Sequence, residues 1–244
     1  MIQSTENLAR VRAELTVGGS LRFALNHGNA LLVQRGPDGA AVQGISVDLA
    51  HELSRRLGVA ASFVHYEKAG DVANGTGSDE WDICFLAIDP LRAREIAFTD
   101  PYVAIDGNFV VPSSSPAMEP ADIDRLRLRV ALTSGSAYSL HLLRESKGAT
   151  ILEFKTVKDA ATAMLSGEAD ALAGVRQAME AFRAGHAGFR LIDSSFMSIR
   201  QAIGIKVGKP RALEYLNAFV AELKANGFMG EALARSGHGE LQIP

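Results

Sequence analysis

The chain has 244 residues, 47% of them hydrophobic and 22% charged, which is apolar material for one large core or two modest ones. A formal charge of −3, with lysines and arginines scattered along the chain, offers no basic field to hold a phosphate backbone, so nucleic acid is not an expected partner. Asp, Gly, Pro or Arg interrupts every apolar stretch before the roughly 20 residues that a membrane helix needs.

In chain order, residues 1–12 read as a short polar helix without the basic-then-apolar order of a secretion signal. Residues 21–25 form the first strand. Asn26, His27 and Asn29 follow it, at the carboxyl end where open α/β sheets bind ligands. Gly36-Pro37-Asp38-Gly39 is a hairpin signal. The helical spacing of Leu49, Ala50, Leu53 and Leu57, with Asp48 in the first turn and Gly58 as the stop, predicts a helix. Residues 59–64 and 82–88 read as strands, separated by a glycine-rich stretch, 70–77, that reads as a mobile connector. The lone cysteine, Cys84, lies in the second of these strands, where it can form no internal disulfide and fits a small buried core residue.

Residues 108–112 are extended and lead through Ser113-Ser114-Ser115-Pro116 to a second βα series. Strands are expected at 128–132, 150–154 and 170–174, and helices at 136–145 and 157–165. Residues 198–207 are extended again, and a helix from about 210 to 225 carries Leu213, Leu216, Phe219, Val220 and Leu223 on one face before Gly227. Strands alternating with helices give an α/β class with parallel sheets. The economical topology is two α/β lobes: residues 1–111 and 199–244 form the first, and residues 112–198 form a second lobe inserted into it. Two extended segments then join the lobes as a hinge beside a cleft. Repeats and low-complexity segments are absent from the sequence.

Three segments together resemble the family 3 solute-binding proteins of ABC transporters, the polar amino-acid type with a type II periplasmic-binding fold. They are the stretch from Gly44 to Gly58, Trp81-Asp82-Ile83, and Arg92-Ala-Arg-Glu-Ile-Ala-Phe-Thr-Asp-Pro-Tyr102. The resemblance covers nearly everything from Leu21 to about Ala234 and implies a binder of a small carboxylate-bearing metabolite, an amino acid or close analogue. It also implies a monomer in the periplasm, with no cofactor or metal and with an ABC permease as the partner. The lack of a signal segment leaves a cytoplasmic location open.

By that resemblance Arg92 holds the ligand's α-carboxylate, a task suited to the planar fork of a guanidinium, whereas Arg94 reads as a surface residue. Gly135, Ser136 and Ala137 match the family's second anion contact, where backbone amides open a helix, although plain N-capping explains a serine there as well. Family members that bind α-amino acids place an acid after the Gly-x-x-Asp-Ala strand to hold the ammonium group, and here Val175 stands in its place. Two alternatives follow: Asp89 or Asp106 replaces that acid, or Arg176 faces the cleft and the ligand carries a second acid group or no amino group at all. Asp89 also reads as a turn residue before Pro90. Asn26 and Asn29 are further candidate contacts, as are Arg200 and Gln201 on the return segment, and His27 is either a pH-sensitive contact or an exposed loop residue.

Two rival functions compete with this one. Some cleft dehydratases resemble the same family, but residues 70–77 lack the Lys-Ser/Thr of a P-loop, the histidines lack metal-ligand spacing, and Gly135-Ser136 is no nucleophile elbow. Glu168 or Asp106 could serve as an acid, and neither has a visible partner in the sequence. A ligand-sensing domain would share the fold, and the chain carries no recognisable output segment.

Overall fold

The structure is a computed structural model that describes residues 5–16, 19–36 and 41–244. It divides into two compact units, Met1–Ala104 with Arg200–Pro244, and Ile105–Ile199.

The first unit begins with helix α1 (Thr5–Leu15) and strand β1 (Ser20–Asn26), followed by the two short strands β2 (Gln34–Arg35) and β3 (Val42–Gln43). β2 and β3 pair antiparallel around the expected hairpin position, whose Pro37, Asp38 and Gly39 lie outside the described residues. Helix α2 (Ile45–Leu57) then buries Ile45, Leu49, Leu53 and Leu57 along one face and ends at Gly58. After β4 (Ala60–Tyr66), the glycine-rich stretch differs from expectation. It forms helix α3 (Ala69–Asn74) and a further single turn, Gly75–Gly77. The reason is tertiary: Val72 is fully buried in a cluster with Ala24 and Trp81, and the Trp81 indole donates to the Val72 carbonyl at 3.1 Å. Burying that valine and satisfying the indole outweigh the low helix propensity of glycine.

Strand β5 (Ile83–Ala87) is buried along its whole length, and burial pushes the Cys84 thiol up to about 12, as expected of an inert core cysteine. β6 (Ile96–Phe98) and β7 (Val103–Pro112) follow, and within β7 the chain leaves the first unit.

In the second unit come α4 (Ala121–Arg125), β8 (Arg129–Thr133), α5 (Ala137–Glu145), β9 (Thr150–Phe154), α6 (Val157–Leu165), β10 (Ala171–Val175), α7 (Arg176–Gly185) and β11 (Phe189–Leu191). Its strands order as β7-β10-β8-β9, with β11 also on β7. The β10–β8 and β8–β9 pairs are parallel, and β7 runs antiparallel to β10. Its core gathers Val110, Ala131 and Leu172, which are register neighbours on β7, β8 and β10, with Met164 of α6 and Met179 and Phe182 of α7.

Through β12 (Met197–Lys206) the chain returns to the first unit and closes with α8 (Pro210–Ala225) and α9 (Phe228–Arg235). The first unit's strands order as β4-β1-β5-β12, with β6 on β12. β1 runs parallel to both β4 and β5, while β12 is antiparallel to β5. Among the described residues no helix is long and apolar enough to cross a membrane.

Candidate functional site

Parallel strands put their carboxyl ends on one sheet edge, and in each unit the expected ligand residues fall at such an edge. In the first unit β1 ends at Asn26 and β5 at Ala87, so the loop with Asn26 and Asn29 and the turn with Asp89 and Arg92 open on the same side. In the second unit β8 ends at Thr133 and β10 at Val175, so the turn Gly135–Ala137 and the first residue of α7, Arg176, also share an edge. Asp106 joins them, since the antiparallel register sets the neighbouring Gly107 opposite Val175.

Arg92 begins a one-turn helix, Arg92–Arg94, in the short connection between β5 and β6. The connection is folded locally: Asp89 Oδ1 accepts from the Leu91 amide at 2.8 Å, and the Ala93 amide donates to the Asp89 carbonyl at 2.9 Å. An aspartate before Pro90 therefore makes the turn that sequence chemistry expects. Asp89 and Arg92 lie three positions apart on this connection, close enough for their charges to interact. Both side chains are sequestered, at 4% and 5% exposure, and an Arg92 Nη1 donates to the Ala87 carbonyl at 3.0 Å. Burial pulls the Arg92 pKa below the usual guanidinium value, and the negative charge of Asp89 opposes that shift. Arg94, two residues on, is exposed.

The asparagines shape the loop after β1. Asn26 Oδ1 accepts from the Gly28 amide at 3.1 Å, and Asn29 Oδ1 accepts from the Leu31 amide at 3.3 Å. Both side chains are half-buried. Gln201 is buried on β12 opposite Ala87, whereas Arg200 is exposed.

At the second unit's edge, Gly135 takes the left-handed conformation, φ 70°, that lets the chain turn from β8 into α5. Ser136 is the N-cap of that helix. Its hydroxyl donates to the Thr133 carbonyl at 2.7 Å and accepts from the Ser139 amide at 3.0 Å. The capping expected of this serine is thus present, while the helix's leading amides, beginning with Ala137, have no intrahelical acceptor by geometry and form the positive end of the helix dipole.

Arg176 is placed differently from Arg92. It opens α7, an element absent from the sequence expectation, with about a third of its side chain exposed. Its Nε donates to Glu180 Oε1 at 2.8 Å, and an Nη1 donates to the Asp193 carbonyl at 3.1 Å. Asp106 is half-buried on β7.

Two participants lay outside the sequence reading. Asn108 is fully buried and donates from Nδ2 to the carbonyls of Ile192 and Asp193, at 3.0 and 3.2 Å, so it grips the same loop as Arg176. His65, on β4, accompanies His27. Polar residues inside strands are the available signal for both, but only strand register reveals what they meet.

With this geometry in place, the chain can be set beside known proteins. The glutamine-binding protein GlnH of an ABC transporter from Bacillus subtilis (strain 168) is 19% identical over 228 residues, covering 92% of this chain and 83% of that protein. Holo ArgBP from T. maritima is 24% identical with a TM-score of 0.69, covering 84% of this chain and 91% of that one. The solute receptor for L-cysteine of Neisseria gonorrhoeae is 20% identical with a TM-score of 0.75, covering 94% and 92%. These structures establish the α/β fold as the type II periplasmic-binding kind. The model of the bacterial extracellular solute-binding proteins, family 3, matches residues 21–236, and the chain belongs to that family.

Proposed function

We propose that this protein captures a free amino acid, with Arg92 receiving the α-carboxylate, and delivers it to the permease of an ABC importer on the outer side of the cytoplasmic membrane. Relatives named for binding glutamine, arginine and L-cysteine support the amino-acid class. The observation that carries the reading is the burial of Arg92 at the carboxyl edge of β5. Sequestering a guanidinium is costly, and a bidentate carboxylate offsets that cost with two charge-assisted bonds.

The leading amides of α5, at Gly135–Ala137, are the second element we assign to ligand contact, with Asn26 and Asn29 as polar contacts on the first unit. For the ammonium group we assign Asp89, the acid buried on the same turn as Arg92, ahead of Asp106. Arg176 is assigned no ligand role, because Glu180 and the Asp193 carbonyl engage it. Ligand capture by these groups needs no proton transfer or bond cleavage, so the proposed activity is reversible binding.

A thermal-shift screen over L-glutamine, L-arginine, L-lysine, L-cysteine, dicarboxylates and keto acids tests the reading. A ligand present at 100 times its Kd stabilises the folded state by about 2.7 kcal/mol, and an amino acid should give the largest shift. Shifts only from compounds lacking an amino group would overturn the amino-acid assignment.

A further inference from the structure

His27 and His65 meet at the edge of the first unit's sheet. Residues Leu25 and His65 are register partners in the parallel β1–β4 pair, and the ladder runs one step beyond β1, with the His27 amide donating to the Tyr66 carbonyl at 2.8 Å. His27 Nε2 lies 2.8 Å from His65 Nδ1, and the rings stack at 5.1 Å between centroids with their planes 19° apart. The loop leaving this pair has little freedom. Gly28 is pressed so close to the end of β4 that a Cβ there would fall 2.7 Å from the Glu67 carbonyl oxygen. Its amide is held by Asn26 Oδ1, and the Asn29 carbonyl accepts from the amides of Leu32 and Val33, at 3.1 Å each.

A nitrogen-to-nitrogen contact of this length needs one ring nitrogen with a proton and one without. The pair tolerates zero or one positive charge. A second proton would set two N–H groups face to face and two cations about a ring apart. The charged surroundings do not relieve this. Arg35 adds repulsion, and the nearby carboxylate, Glu67, is already bound to Arg35. Burial first, then Arg35 and His65, hold the His27 pKa below the ordinary histidine value, with Glu67 opposing.

We propose that His65 is a positioning residue: it clasps His27, and through it fixes Asn26 and Asn29, so that mild acidification opens the clasp and weakens ligand binding. The ligand half of this inference rests on the reading of Asn26 and Asn29 as ligand contacts, while the clasp itself does not. The sign follows from the lowered value. The clasp is fully effective above the unfolded-state histidine pKa of about 6.5 and is lost as pH falls from there through the depressed folded-state value.

The test has two arms. In the first, the ring nitrogens are titrated by NMR in the ligand-free wild type and in His65→Gln and His65→Ala. His27 should titrate below about 6.5 in the wild type and move up toward that value in both variants. A wild-type His27 at or above the ordinary value, or one that neither variant moves, overturns the clasp. In the second arm, calorimetry with L-glutamine, L-arginine, L-lysine and L-cysteine at pH 7.5 and pH 5 compares the wild type with His65→Gln. The wild type should lose severalfold more affinity on acidification than the variant. Equal losses in the two proteins overturn the positioning role, even where the NMR arm succeeds. Failure of all four amino acids to bind at pH 7.5, with the His27 shift present, would instead sink the amino-acid reading and leave the clasp standing.

Discussion

Arg92 and Arg176 both follow strands whose carboxyl ends open on a sheet edge, yet their surroundings differ sharply. Arg92 is 95% sequestered on a short turn beside an equally buried Asp89. Arg176 is partly exposed, with Glu180 one helical turn away and the Asp193 carbonyl on its other side. An exposed arginine with such partners costs little and needs no ligand to explain it, since pairs of this kind contribute about 0.2–1 kcal/mol. A buried guanidinium carries a larger desolvation cost. What the contrast teaches is that type and strand-end position do not assign a ligand role to an arginine; its burial and its local partners do.

The largest effect short of deleting a side chain is expected from Arg92→Lys, which keeps the charge and removes the fork. Affinity for the best ligand of the screen should fall about tenfold or more, corresponding to about 1.4 kcal/mol, with the fold retained. A lysine that binds as well as arginine would show that bidentate geometry is not what the site uses.

Ser136→Ala is the next in size. It removes the N-cap of α5 and should cost about 1 kcal/mol, or roughly 2–4 °C in melting temperature, measured without ligand. If binding collapses in this variant as it should in an Arg92 variant, the ligand's main anchor lies in the second unit and the contrast between the two arginines loses its meaning.

Arg176→Ala should have the smallest effect, within about twofold in Kd and no more than about 1 kcal/mol in stability. A tenfold loss of affinity would reverse the comparison and restore Arg176 as a ligand contact.

Much of the fold is legible in the sequence because period and punctuation agree there. The apolar face of α2 ends at Gly58, and that of α8 ends before Gly227. Helix α3 was hidden because Gly70 and the following Gly75 and Gly77 argue against a helix, and its reason to form is Val72 under Trp81, a contact that local pattern does not display. Helix α7 was hidden for a different reason: it has no side-chain cap at Val175 and buries only Met179 and Phe182. Missing it left Arg176 in an undefined strand end, where a ligand role was open, instead of at a helix start within reach of Glu180.

At the site itself, the Asp89-Pro90 turn and the Ser136 cap are local chemistry and could be read directly. The burial of Asp89 and Arg92 could not, because it depends on how the connection after β5 packs. The His27–His65 contact spans 38 positions and exists only through the β1–β4 register.

The central claim, that Arg92 receives the ligand's carboxylate, is tested most directly by calorimetric titration of Arg92→Ala beside the wild type, using the amino acid that gives the largest thermal shift. Loss of a charge-assisted bond worth about 1.5–3 kcal/mol predicts a Kd raised roughly 10- to 150-fold, in a variant whose circular dichroism spectrum remains that of a folded α/β protein. A folded Arg92→Ala protein with the wild-type Kd would contradict the account.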